Sequence, residues 1–406
     1  MKFSVAAARA LLLTAQGLTG RRRGAMRKAD VLAAIQRMGL LQIDTISVVA
    51  RSPYLVLWSR LGQYEPCWLD ELLAEGALFE YWSHAACFLP IEDFPLYRRR
   101  MLEHAAWVLP EHGEQTEQRT QMQAMLAHIR EEGAVRSADF THEGRKSNGW
   151  WDWKPEKRTL EQLFNAGHLM IARREGFQRI YDLRERVLPA WDDRDTPSLE
   201  HVRRELILKA VRTLGVATAA WVGAYFPEYL RRHKPCVLLE TLVEEGALLR
   251  AQIVDWPAPV YVHPANLSLA ERAAAGALRP RGITLLSPFD PVVSDRARTR
   301  SLFGFDYSIE TYTPAEKRKY GYFSLPILRN GELIGRLDPK AHRKIGVFEV
   351  RALHLEPGVR VTDRLLHDLA GVLRDCAHWH QTPDVVVRAI DPPEISPRLQ
   401  HILSSQ

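Results

Sequence analysis

The stretch LLQID, residues 40–44, places an amide and a carboxylate two positions apart in an otherwise apolar run. On a helix, residues i and i+2 point about 200° apart, so Gln42 and Asp44 would diverge. On an extended backbone they share a face, and Leu41, Ile43 and Thr45 fill the other. Gly39 before the run and Pro53 after it both interrupt a helix, which favours the extended form. A converging amide and carboxylate can hold one water molecule. Asp44 can take its proton or stabilise a nearby positive charge, and Gln42, both donor and acceptor, can orient it. A structural role fits the same residues: Asp44 capping a turn, Gln42 satisfying backbone groups. The residues alone leave both roles open.

Other groups with chemistry are mostly cationic. The 406-residue chain carries a net charge of +6, concentrated in GRRRGAMRK (20–28), YRRRM (97–101), EKRKY (316–320) and KAHRK (340–344). Such clusters either attract phosphate backbones or serve as solvated surface. Arg51 and Arg60 are candidate phosphate or abasic-site contacts, with ion pairing as the alternative. His84, at an expected hairpin turn, is a third candidate. Lys317, Arg318 and Lys319, and Lys340, His342, Arg343 and Lys344, are two further candidate DNA-contact groups. Trp82, Trp150, Trp151 and Trp153 read as packing residues, and Asp290 and Asp295, flanking a proline-rich turn, as structural.

Several chemistries lack a motif. The cysteines, Cys67, Cys87, Cys236 and Cys376, form no CxxC pair and no disulfide framework, and His84 with Cys87 has no second ligand pair, so no metal site is expected. Phosphate-binding GxxxxGK[ST], dinucleotide GxGxxG and nucleophile-elbow GxSxG patterns are all missing, and no cofactor is implied.

The elements that must position these groups follow from periodicity and punctuation. Helices are expected at 4–17, 28–38, about 54–61 and 66–75, with extended chain at 40–48 and a hairpin over 76–90. Helical residues 92–130, a helix at 156–167 ended by Gly167, and a hairpin through Gly176 repeat that order. A third round runs from the helix at 198–215, through helices at 217–226 and 235–244, to a hairpin at 247–264. Helices closed by a hairpin describe a winged helix, a DNA-binding arrangement. Beyond Leu267 alternating residues and the Asn330-Gly331 turn indicate a β-rich, barrel-like domain over about 284–358, then a helix at 361–381 and a strand near 384–389. The fold class is therefore α+β: about three tandem winged helices (1–92, 93–195, 196–266), a C-terminal β-barrel-like domain (267–390) and a tail of little order (391–406). The N-terminal apolar stretch is broken by Arg9 and reads as an amphipathic helix, not a leader. No apolar run approaches the ~18 residues of a membrane span. A cytoplasmic protein with reduced thiols is expected.

Longer segments carry a resemblance. LLQIDTISVVARSPYLVLWSRLG (40–62), EYWSHAACFLP (80–90), VRSADF (135–140), GWWDWKPEKRTLEQLFNAGHLMIARREGFQRIYDL (149–183), LLSPFDPVVSDR (285–296) and YTPAEKRKYGYFSLPIL (312–328) are similar to the YcaQ-like DNA glycosylases, the AlkX branch of the AlkZ/AlkX winged-helix superfamily. The resemblance spans about residues 3–390. It implies tandem winged helices with a β-barrel-like element, and excision of N7-alkylated purines from double-stranded DNA. It also implies a Gln-x-Asp catalytic motif, here Gln42-Ile43-Asp44, in the branch that acts on interstrand crosslinks as well as monoadducts; the sister branch carries Gln-x-Gln. Ser294 departs from the pattern, which has an aromatic residue before the Asp-Arg pair. No lysine nucleophile is required, so the expectation is a monofunctional, monomeric enzyme that leaves abasic sites. A base tied to the opposite strand cannot be fully withdrawn, so an open, shallow site is expected, in contrast to a deep base pocket. The alternative is a non-catalytic winged-helix transcription regulator.

Overall fold

The computed structural model describes residues 1–20, 24–109, 116–140, 155–230 and 235–405. Arg21–Arg23, Trp150, Trp151 and Trp153 lie outside the described residues. The chain divides into two compact units, one of Met1–Glu65 with Ile207–Gln406, the other of Pro66–Leu206.

The first unit opens with strand β1 (Lys2–Phe3), helix α1 (Val5–Ala15), helix α2 (Lys28–Met38), the two-residue strand β2 (Leu41–Gln42) and helix α3 (Ser52–Leu61). Ser4 caps α1 through the Ala7 amide, and Asp30 accepts the Arg27 amide to start α2. Gly39 ends α2 in the left-handed conformation at φ 73°, and a Cβ there would lie 2.8 Å from the Lys209 side chain. The chain therefore turns out of α2 directly into β2, as the glycine predicts.

The second unit contains α4 (Cys67–Ala74), the hairpin β3 (Leu78–Trp82) and β4 (Ala86–Pro90), α5 (Phe94–Val108), α6 (Glu117–Glu132), β5 (Val135–Arg136), α7 (Pro155–Asn165), β6 (Leu169–Glu175), β7 (Gln178–Leu183) and the short α8 (Arg184–Val187). β5, β7 and β6 form one antiparallel sheet. A buried carboxylate ties the hairpins together: Glu80 on β3 receives Arg174 at 2.7 Å and also Arg179, which reaches Glu161 at 2.8 Å. Arg179 is held fully charged by these carboxylates despite its burial.

Helix α9 (Leu199–Leu214) leads back into the first unit, followed by α10 (Ala219–Tyr225), α11 (Pro227–Leu230), α12 (Pro235–Glu244), β8 (Leu249–Ile253), β9 (Val260–Val262) and α13 (Leu267–Ala274). β1 pairs in parallel with β8, so the first residues of the chain complete the sheet of the third hairpin. β10 (Ile283–Leu285), α14 (Arg296–Phe303), β11 (Leu325–Arg329), β12 (Glu332–His342), β13 (Val347–Leu355), α15 (Asp363–Trp379), β14 (Asp384–Val387), β15 (Ile390–Asp391) and α16 (Ser396–Ser404) complete the chain. Strands β10-β11-β12-β13-β14, with β15 also on β13, make a curled half-barrel sheet. The apolar face of α15, including Leu366, Leu369 and Leu373, packs on its β10 and β14 edges.

Mixed α+β architecture and a curled sheet in the C-terminal half agree with the sequence reading. Two expectations are corrected. The tail expected over 391–406 is not unordered in its described residues, 391–405: α16 packs on α15 and buries Leu399. Extended chain over 40–48 forms ladder structure only at Leu41–Gln42, after which the backbone is irregular up to the bridge between Ser47 and Arg51.

Candidate active site

The motif lies in the loop between α2 and α3. Leu41 and Ile43 are buried, whereas Gln42 and Asp44 are half-buried, so the alternation of faces persists beyond the end of β2. Asp44 Oδ1 accepts the Ile46 amide at 2.8 Å, an Asx-type turn that fixes the carboxylate on the loop. Its other oxygen, Oδ2, has no protein hydrogen bond among the described residues. Burial raises the Asp44 pKa above the ordinary carboxylate range, and the Ile46 N–H opposes the rise. Turn cap and chemical group are thus compatible in one side chain: one oxygen positions it and the other makes no hydrogen bond among the described residues.

The loop is clamped from the C-terminal half of the same unit. The Ala341 amide donates to the Val48 carbonyl at 3.0 Å, and the Arg343 guanidinium donates to the Val49 carbonyl. Ser52, at the start of α3, shares a buried hydroxyl–hydroxyl hydrogen bond of 2.7 Å with Ser287. Tyr225 donates to the Met38 carbonyl at 2.7 Å, holding the end of α2. The motif is therefore fixed on both sides, although its own segment has little regular structure.

Through Val48 and Val49 the loop that carries the motif meets the tip of the β12–β13 hairpin, which carries Lys340, His342 and Arg343. His342 Nε2 pairs with Glu349 Oε2 at 3.0 Å, and Arg388 donates to the other Glu349 oxygen at 2.9 Å. Lys317, Arg318 and Lys319 occupy a different loop. Arg318 donates to the Thr313 carbonyl at 2.8 Å and stacks on Tyr322, while Glu310 accepts the amides of Lys319, Tyr320 and Gly321 at 2.8–3.1 Å. The loop is tied to β12 through the Phe323 amide and Asp338. His84 stands exposed at the β3–β4 turn of the second unit, as expected.

Arg60 does not stand at a surface. Its side chain is 3% exposed and makes a bidentate pair with Asp290 at 2.6 and 3.0 Å, with further bonds to the Gln16 and Val56 carbonyls. A guanidinium so occupied has no face for a phosphate, so the expectation of DNA contact is corrected to a structural ion pair. The structural reading of Asp290 agrees with this. Trp82, expected in the core, is 38% exposed, with its indole N–H on Asn165 at 2.7 Å. Ser294 is exposed and immediately precedes Asp295, which caps α14 through the Arg298 amide. The contributions of Val48, Ser287 and Ala341 carry no sequence signal, because they act through backbone groups or a lone hydroxyl at long separation.

A half-buried carboxylate and amide on a clamped loop, beside cationic hairpin residues, suit chemistry on an exposed polyanion. Residues 35–379 match the AlkZ-like DNA glycosylase family, and the chain belongs to it. The protein is thus an enzyme that acts on N-glycosyl bonds, with DNA as its substrate partner. Its structure is similar to the Streptomyces sahachiroi DNA glycosylase AlkZ, with a TM-score of 0.61 at 14% sequence identity, over 95% of this chain and 100% of that one. At that identity the likeness concerns the fold.

Proposed function

We propose that the enzyme hydrolyses the N-glycosidic bond of N7-alkylated purines in double-stranded DNA, unhooks interstrand crosslinks formed through N7, and leaves abasic sites. N7 alkylation makes the base cationic, so it departs without a general acid. The enzyme must stabilise an oxocarbenium-like sugar and deliver a water. Asp44 Oδ2 is the group for the positive charge and the water's proton; Gln42 orients the water. A positioned base contributes about 10²–10⁴ in rate. No lysine attacks the sugar in this scheme, so no covalent intermediate forms.

The observation that carries the reading is the state of Asp44: turned and held by Ile46, raised in pKa, and with its second oxygen unbonded among the described residues. Half-exposure of Gln42 and Asp44 supports an open site suited to a base that cannot leave the duplex. The helix-and-hairpin groups are read as tandem winged helices over 1–92, 93–195 and 196–266, with the barrel-like part over 267–390. Arg51, His84, Lys317–Lys319 and the hairpin tip Lys340, His342 and Arg343 are the proposed backbone contacts, made by a monomer. Among the described residues, no helix is long and apolar enough to cross a membrane. The regulator alternative is not retained, because the family is one of enzymes.

The test incubates the protein with DNA carrying a nitrogen-mustard N7 crosslink or N7-methylguanine. Release of both is expected, without borohydride-trappable protein–DNA adducts. Intact crosslinks alongside excised monoadducts would remove the crosslink claim; efficient trapping would overturn the monofunctional mechanism.

A further inference from the structure

A cleft of about 640 Å³ lies within the first unit, away from the motif loop. Its walls come from α1, the loop before β10, the β11–β12 turn and the start of α15. Five arginines line it: Arg9, Arg279, Arg281, Arg329 and Arg364. Arg9 pairs with Glu332 at 3.3 Å and Arg329 with Asp368 at 2.7 Å. Arg279, Arg281 and Arg364 are exposed and make no side-chain hydrogen bond or ion pair among the described residues. Five guanidiniums against two carboxylates leave a concave cationic surface, in which Arg279, Arg281 and Arg364 have no carboxylate partner among the described residues.

The cleft is built, not incidental. Asn330, at φ 50°, and Gly331, at φ 84°, form the turn between β11 and β12. The Asn330 amide donates to the Gly282 carbonyl at 2.8 Å, and the Gly282 amide donates to Asn330 Oδ1 at 3.0 Å. The Arg281 amide donates to Thr19 at 3.3 Å. The loop carrying Arg279 and Arg281 is therefore pinned on two sides. Ala6, Ala10, Gly282 and Gly331 also line the cleft, and their small side chains let a bulky anion approach.

Its place on the fold sets its distance from the motif. The cleft borders the first residue of β12, and the motif loop is clamped at Ala341, the next-to-last residue of the same strand. Nine residue steps from Glu332 to Ala341, at about 3.3 Å each, put the two ends at most roughly 30 Å apart along the strand. At 3.4 Å per base pair that is about nine base pairs of duplex. We propose that the arginine cleft is a second, distal phosphate-backbone site, which holds the DNA duplex about nine base pairs from the base being excised. The planar guanidinium fork fits phosphodiester oxygens, and clustered positive charge in a cleft concentrates a polyanion. The DNA identity of the polyanion rests on the glycosylase reading; the cationic cleft itself does not.

The test compares the wild-type protein with the triple variant Arg279→Ser/Arg281→Ser/Arg364→Ser on two duplexes with a central lesion, one of 10 and one of 30 base pairs. Binding is measured across a salt series, with circular dichroism and melting as checks on the fold. The variant should bind the long duplex at least about tenfold more weakly. Its log Kobs–log[salt] slope should be shallower by about 2–3, one phosphate per guanidinium lost, while short-duplex binding stays within about twofold. Unchanged long-duplex affinity and slope, or an equal loss on both lengths, overturns the proposal. So does loss of inorganic pyrophosphate binding with long-duplex binding intact, which would assign the cleft to a free phosphate. If wild type excises no lesion yet the length-dependent loss appears, the distal site stands and the proposed function falls.

Discussion

The backbone amide of Ala341 is hydrogen-bonded to the carbonyl of Val48 at 3.0 Å, so the tip of the β12–β13 hairpin holds the loop that carries Gln42 and Asp44. The Ala341 N–H points away from β13, leaving the hairpin's own ladder independent of this bond. Ala341→Pro removes the donor at an edge position that proline tolerates. The expected result is a melting temperature close to wild type and a single-turnover excision rate lower by about 10- to 100-fold, since small displacements of catalytic groups are costly. An equal loss in stability and rate would instead make the contact a general fold element.

Asp44→Asn preserves the Ile46 turn through its side-chain oxygen but loses the charge. Excision should fall by about 10²–10⁴ while affinity for undamaged duplex changes little. Gln42→Ala should lose less, because water retains one of its two orienting partners. Single-turnover rates on N7-methylguanine DNA measure both.

The raised Asp44 pKa sets the sign of the pH profile. In the proposed mechanism only the ionised carboxylate stabilises the sugar cation, so activity is expected to decline as pH falls through that pKa. Because burial raises it, the acidic limb lies at higher pH than an ordinary carboxylate, whose reference is 3.8. Asp44→Asn should abolish that limb along with most of the rate.

Arg60 and Asp290 are a buried pair, so their removal speaks to stability. Either Arg60→Met or Asp290→Leu leaves an uncompensated buried group and should cost about 3–5 kcal/mol. An apolar double replacement should recover much of that loss. Urea denaturation of the four proteins checks the cycle.

At the hairpin tip, His342 and then Arg388 hold the Glu349 carboxyl down to about 2, from a reference of 4.5. A depressed acidic pKa stabilises the fold above the reference value and loses that contribution as pH falls from about 4.5 towards 2. The site is partly solvated, so the effect should stay below about 1 kcal/mol. Glu349→Gln should flatten the stability profile across this window, as read from melting temperatures.

Much of the element pattern was legible because it depends on local rules. Gly39, Gly167 and Asn330-Gly331 each need a positive φ, and each ends or turns an element where expected. Gln42 and Asp44 were legible as a pair because an extended backbone puts alternate residues on one face. The partner of Arg60 is not legible in the sequence because it lies 230 residues away, and a lone arginine on an amphipathic helix looks the same whether it meets solvent or a buried aspartate. The α16 segment is ambiguous in the sequence because it opens with prolines, which mark both loops and helix starts. The clamp on Val48 was illegible, since backbone amides and carbonyls belong to every residue.

The two units differ in how the chain is shared between them. Pro66–Leu206 is one continuous segment, whereas the other unit joins the first 65 residues to the last 200. During synthesis the continuous segment can fold as soon as it has emerged. Gln42 and Asp44 are made before it, yet Val48 cannot meet Ala341, nor Ser52 meet Ser287, until most of the polypeptide exists. The motif loop is thus among the first parts translated and among the last to be locked, which makes an unclamped motif a marker of an unfinished or C-terminally truncated chain.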